Sequence, residues 1–173
     1  MLSLSDNEFS VINFLVRNFA EKLTIRSIAQ KLNFSPAGVF NILKKLEKEN
    51  IVVGEKLGTG LFYSMNLEEK IAVHLAAIVL LYSHEKLEEI NIGQIRQAKS
   101  AILDKKNLLL ITDNVTVLDI PIQNFNVISK TEEEIIGLLR KKDVATHQLL
   151  KKGAVLFGEE FVVEIIKNCI SRF

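Results

Sequence analysis

Ala37, Asn41, Lys44, Lys45 and Lys48 recur at helical spacing behind the pair Ser35-Pro36. A carboxamide set among cations on one helical face has the chemistry to read a polyanion. The Asn41 amide can donate and accept at once, so it can pair bidentately with an adenine edge, a contact worth ~1–3 kcal/mol of discrimination. Lys44 and Lys45 are suited to phosphate oxygens, as are the Ser35 hydroxyl and, further along, Lys56 and Thr59, with Arg26 auxiliary. Ala37 keeps the start of the face small. Phe40 lies near the exposed side, where it can touch a thymine methyl; closure of the core beside Phe34 is the equal alternative. The plain competing reading is that these cations are the solvated side of an ordinary surface helix.

Other chemistries find less material. His74, His84 and His147 stand far apart, and none pairs with a second ligand at metal-binding spacing. His84 sits beside Glu85 and near Glu88, which an exposed helix end explains. Cys169 falls on an inward stripe and reads as a small core residue. Glu132-Glu133-Glu134 reads as the acidic first turn of a helix, where the dipole favours anions. Asp113 and Asp119 are the only acids beside expected strands. Gly58-Thr59-Gly60 is a hairpin tip and not a phosphate loop. No catalytic set, metal or cofactor is expected.

The elements that must hold the cationic face are legible from caps and periods. Ser5 with Glu8 is a capping box, and Phe9, Ile12, Leu15, Val16 and Phe19 form the stripe of a first helix. Thr24 caps a second, with Ile25, Ile28, Ala29 and Leu32 on one side. After a break at Asn33, Ser35 caps a third that Pro36 opens, and Val39, Leu43 and Leu46 face inward. Ile51-Val52-Val53 and Leu61-Phe62-Tyr63 flank Leu57-Gly58-Thr59-Gly60 as a hairpin whose glycines permit positive φ. The run LTIRSIAQKLNFSPAGVFNILKKLEKENIVVGEKLGTGLFYSMNLE resembles the winged helix-turn-helix regulators of archaea and bacteria. That resemblance implies a recognition helix starting at Ser35, a hairpin wing and double-stranded DNA as the partner.

With 173 residues, 48% hydrophobic and 25% charged, the chain can bury a core of one domain or two small ones. Net charge is only +1, so any nucleic-acid contact must come from local charge. Ile71 to Tyr82 is the longest apolar stretch, interrupted by His74 and short of the ~20 residues a bilayer needs, so no membrane span is expected. The lone Cys169 and the lack of a signal-peptide pattern point to the cytoplasm. A helix that is apolar nearly all round must be buried on more than one side. Ile71, Leu75, Ile78, Leu81 and Tyr82 are therefore expected to form a homodimer contact, with a central core helix as the alternative.

Beyond an interruption near residue 90, Ile95, Ala98, Ile102 and Leu103 suit another helix to about Asp104. Leu108 to Ile111 reads as a buried strand before a turn, and Val115 to Ile120 and Asn126 to Ile128 as further strands. Thr131 with Glu134 caps a helix carrying Ile135, Leu138 and Leu139; a second, on Val144, Leu149 and Leu150, ends at Gly153. Ala154 to Phe157 is extended, and Glu159 to Cys169 is a last helix with Val162, Ile165, Ile166 and Cys169 inward. The stretch NVISKTEEEIIGLLRKKDVATHQLLKKGAVLFGEEF is similar to the tail of minimal nucleotidyltransferase domains of the DNA polymerase beta superfamily. Their chemistry needs a Gly-Ser turn for the triphosphate and an Asp-x-Asp pair for two metal ions. Lys105-Lys106-Asn107 stands where the acids would be, no Gly-Ser turn precedes it, and the 90–106 segment looks too short for the missing strand and helix. The resemblance thus implies a truncated, inactive relative.

The expected architecture is α+β: a winged helix-turn-helix over 1–67, a helical linker or dimerisation region over 68–104, and a small α/β domain over 105–173. The expected function is a non-enzymatic, dimeric transcription regulator reading the major groove. The alternatives are a winged helix used for protein contacts and an active nucleotidyltransferase.

Overall fold

Three short polar side chains start the N-terminal helices. Ser5 caps α1 (Asp6–Arg17): its hydroxyl accepts from the Glu8 amide at 3.3 Å while its own amide donates to the Glu8 carboxylate at 2.8 Å. Thr24 caps α2 (Ile25–Leu32) in the same reciprocal way, with Ser27 in the acid's place. Asn33 then takes the left-handed conformation, φ 56°, which ends the helix within one residue. Ser35 accepts from the Gly38 amide at 3.0 Å, and Pro36 opens α3 (Pro36–Lys48). A second left-handed asparagine, Asn50 with φ 57°, turns the chain from α3 into the hairpin.

The hairpin is β1 (Val52–Leu57) paired antiparallel with β2 (Gly60–Met65), from Val52↔Met65 to Leu57↔Gly60. Gly58 alone of the tip glycines uses a positive φ, 59°, whereas Gly60 is already the first residue of β2. A third partner joins on the other edge, where the Tyr63 amide donates to the Leu23 carbonyl at 2.8 Å. Val11, Ile12, Leu15, Ile28, Val39, Leu43, Leu46, Ile51 and Tyr63 are sealed from solvent and fasten the three helices to this small sheet. Each such aliphatic side chain contributes ~1.5–3 kcal/mol relative to exposure.

The structure is a computed structural model that describes residues 4–82, 92–95, 97–113, 122 and 124–170. The chain divides into two units, Met1–Val79 and Leu80–Phe173. Helix α4 (Lys70–Tyr82) buries Ala72, Leu75, Ala76, Val79 and Leu80 and exposes Ile71, Ile78, Leu81 and Tyr82. Leu75, expected at a dimer contact, is instead turned inward, because it shares a helical side with the small Ala72, Ala76 and Val79. None of the described helices is long and apolar enough to cross a membrane.

The second unit holds α5 (Ile92–Ile95), β3 (Ser100–Asp104), β4 (Asn107–Thr112), β5 (Asn126–Thr131), α6 (Glu132–Arg140), α7 (Val144–Lys152), β6 (Ala154–Phe157) and α8 (Glu159–Ile170). The sheet order is β5-β4-β3-β6, with β4 and β5 parallel and the other pairs antiparallel. The helix expected through Ile102 to Asp104 is therefore a strand. Both of its faces are buried: Ala101 and Leu103 lie with Leu108, Leu110, Ile95, Ala98 and Ile122, while Ile102, on the other side of the alternation, is buried as well. Strands covered on both sides read as continuous apolar runs, and the strand period vanishes. Helices α7 and α8 pack on β3, and α6 packs on β5.

The Thr131–Glu134 capping box stands as expected, and Val162, Ile165, Ile166 and Cys169 are buried. Val144 is 73% exposed, so it is not part of the inward stripe assigned to it; α7 anchors through Leu150. Residues 115–120 and His84, Glu85 and Glu88 lie outside the described residues.

Candidate nucleic-acid interface

Helix α3 divides cleanly into two sides. Val39, Leu43 and Leu46 are fully buried, and Ala37, Phe40, Asn41, Lys44, Lys45 and Lys48 are exposed. Phe40 is 44% exposed and lies on the outward side of the helix. The exposed Ser35 hydroxyl is engaged at the helix start, where it lies so close to Gly38 that a Cβ at that position would stand 3.0 Å from it. Arg26 is exposed on α2, and Lys56 and Thr59 are exposed on the hairpin. Across that hairpin Lys56 faces Leu61, and the apolar Val53, Leu57 and Leu61 are also solvent-exposed.

The lysines are not all alike. Lys44 Nζ lies 2.7 Å from the Glu47 carboxylate, one turn along the same face, and the hydrogen bond holds the ammonium above its ordinary pKa. Lys45 Nζ lies 2.7 Å from Glu8, whose side chain is 8% exposed, so Lys45 bridges α3 to the start of α1. Burial alone pushes the Glu8 carboxyl up, but hydrogen bonds from Lys45 and Ser5 with the Lys45 charge outweigh it and leave the group below its ordinary value. Sequence reasoning missed both pairings. Glu47 was visible three residues from Lys44, a spacing at which helical charges meet. The Glu8–Lys45 pair joins elements distant in sequence and had no local signal. Lys22, also missed, holds its ammonium 5.9 Å from the centre of the Phe62 ring on the hairpin.

Groups that suggested other chemistry have structural uses. Asp113 is ion-paired with Lys99, which also lies 5.0 Å from the centre of the Phe161 ring. Glu134 completes its capping box, and Glu132 accepts from the Asn168 amide at 3.2 Å. His147 Nε2 donates to the Leu139 carbonyl at 3.0 Å. Cys169 is buried, and burial pushes its thiol pKa up, away from reactivity. Strands β3 and β4 are joined directly by Lys105-Lys106, with no helix or carboxylate pair between the two strands.

Three helices followed by an antiparallel hairpin, with the third helix showing one dry and one polar side, define a winged helix-turn-helix. Residues 4–53 match the family described as winged helix-turn-helix DNA-binding, a span that contains α1, α2, all of α3 and the start of β1. Among solved structures the chain is similar to CymR (YrzC), the global cysteine regulator of B. subtilis. The identity is 19% over 54% of this chain and 78% of that chain, with a TM-score of 0.35. No curated protein matches the chain.

Proposed function

We propose that this protein is a DNA-binding transcription regulator that inserts the N-terminal half of α3 into the major groove. The observation that carries the reading is the exposed row Ala37, Phe40, Asn41, Lys44 and Lys48 on the helix whose opposite side locks into the core, inside the span that matches a DNA-binding family. Small Ala37 allows close approach, Asn41 reads an adenine edge, and Phe40 meets a thymine methyl. Lys44 and Lys48, with Ser35 at the helix start and Lys56 and Thr59 on the wing, contact phosphates. Lys45 holds α3 against α1 through Glu8 and reaches phosphate only from the flank. Arg26 adds a contact from α2.

The exposed row Ile71, Ile78, Leu81 and Tyr82 on α4 supports a homodimer, since residues seven and ten or eleven apart on a helix form one seam that a second copy can meet. Two recognition helices related by a two-fold axis would read a palindromic site. Binding to mixed duplexes across a salt series tests the DNA reading: log affinity should fall steeply with log salt. A flat response, or parental binding by Asn41→Ala/Lys44→Ala, would remove it.

A second reading is a winged helix used for protein contacts. Exposed Phe40, Val53, Leu57 and Leu61, together with the acids paired to Lys44 and Lys45, favour it. In that case affinity for DNA is weak at every salt concentration.

A further inference from the structure

The ends of the sheet in the second unit differ in charge, one gathering lysines and the other mainly carboxylates. At one end Asp104 pairs with Asn107, Asn107 with Asn126, and Leu103 with Ala154. The β3–β4 turn Lys105-Lys106 and the last residue of α7, Lys152, two positions before Ala154, therefore share that end, with the Asp104 carboxylate beside them. At the other end Thr112 pairs with Thr131 and Ala101 with Phe157, so Asp113, Glu132, Glu133, Glu159 and Glu160 gather there, with Lys99 ion-paired to Asp113 and Lys130 to Glu134 among them.

The acidic end has a local cause. Glu132 and Glu133 occupy the first turn of α6, and Glu159 and Glu160 that of α8, where the helix dipole favours anions. Lys152, in the last turn of α7, has the mirror explanation. Lys105 and Lys106 have neither: they lie outside any helix, both are exposed, and Lys105 is held at φ 57°, a conformation glycine or asparagine adopts at lower cost. Turn geometry does not itself call for a lysine there, although Lys142 takes the same φ elsewhere in the unit.

The backbone brings the third lysine to the other two. A Cβ on Gly153 would collide with the Leu149 carbonyl and stand 2.6 Å from Ile102 Cγ2, so only glycine lets the end of α7 close on β3 and deliver Lys152. Beside the turn the Asn126 amide donates to Asn107 Oδ1 at 3.1 Å, which leaves the exposed Asn107 amide group as a neutral donor among the cations.

We propose that this basic end, Lys105, Lys106 and Lys152 with Asn107, binds the phosphate backbone of duplex DNA as a contact additional to α3. The choice of DNA as the polyanion rests on the function proposed for α3. Cations with an amide donor and no base-reading side chain give affinity without sequence preference.

The full chain and its Lys105→Glu/Lys106→Glu/Lys152→Glu variant, checked for an unchanged melting transition, are titrated with one mixed-sequence duplex across salt. The variant's slope of log affinity against log salt should be shallower by about two to three, at ~0.9 per phosphate contact, with its ranking of duplex sequences unchanged. A photo-crosslinker on Lys106→Cys should capture the duplex, and one on Glu133→Cys at the acidic end should not. Parental slope in the triple variant with no capture from position 106 overturns the proposal; if Asn41→Ala/Lys44→Ala abolishes binding in the same series, the α3 reading survives alone. Parental binding by Asn41→Ala/Lys44→Ala with binding lost in the triple variant removes the α3 reading and leaves the basic end as the DNA contact. If the triple variant does not fold, Lys106→Gln replaces it, and the crosslink from position 106 decides.

Discussion

Glu8 performs two tasks with one carboxylate: it closes the capping box of α1 and holds Lys45 of α3. Its Ala variant should destabilise the protein by ~1–3 kcal/mol, because a cap is lost and a buried partner of Lys45 disappears. The pH dependence has a definite sign. A carboxyl held below its ordinary 4.5 in the folded state contributes fully above about pH 4.5, and that contribution is lost as pH falls through the lowered value. Denaturant titrations from neutral to acid pH should show this loss in the parent and a smaller one in Glu8→Gln; equal slopes would dismiss the pair as a source of stability. The two adjacent lysines should also separate. Lys44→Ala should weaken DNA binding and leave the melting transition where the parent's is, as expected for an exposed pair. Lys45→Ala should lower both, and a thermally silent Lys45→Ala would contradict its role as a tie between helices. The outward side of α3 was legible in the sequence, because helical period separates Asn41 and Lys44 from Val39 and Leu43. The acids that temper the lysines were not: one pair depends on tertiary contact, and the other lay within a helix read for its cations alone.

Among the elements, caps were the most readable signals. Ser5, Thr24, Ser35 and Thr131 each start a helix as expected, since a hydroxyl that meets an orphan amide acts within one turn and needs no tertiary partner. Strand β3 reads as a helix in the sequence because Ile95, Ala98 and Ile102 happen to fit helical spacing, while a five-residue strand buried on both faces shows no alternation. The informative signal was the polar Lys105-Lys106 between two apolar runs, the pattern of a tight hairpin. The exposed Val144 shows the same limit for a short helix, where one apolar residue at the start need not lie on the buried side. Gly158 links β6 to α8 at φ +76°, and a Cβ there would strike the Lys99 carbonyl. Gly158→Ala should therefore cost more than ~2 kcal/mol by steric strain on top of the unfavourable φ. Thermal or urea unfolding measures it, and a loss below ~0.5 kcal/mol would mean that the link relaxes without disturbing β3.

At the scale of the whole molecule, the net charge of +1 cannot draw the protein to DNA, so binding must arise from where charges sit. The row Ile71, Ile78, Leu81 and Tyr82 is the corresponding question for assembly. Ile78→Glu should convert a dimer to a monomer in sedimentation experiments and weaken binding to a palindromic duplex far more than to a single half-site. A parent chain that sediments as a monomer at every concentration would end the dimer proposal.

Apart from Lys45, which ties α3 to Glu8, the exposed residues of α3 do little to hold the fold. Ala37, Phe40, Asn41, Lys44 and Lys48 are exposed, and the buried Val39, Leu43 and Leu46 hold the helix whatever stands opposite them. A lineage descended from this chain could therefore re-aim it at a new target by single substitutions on one face, each passing through a folded intermediate. If α3 reads DNA as proposed, specificity is free to drift while architecture is not.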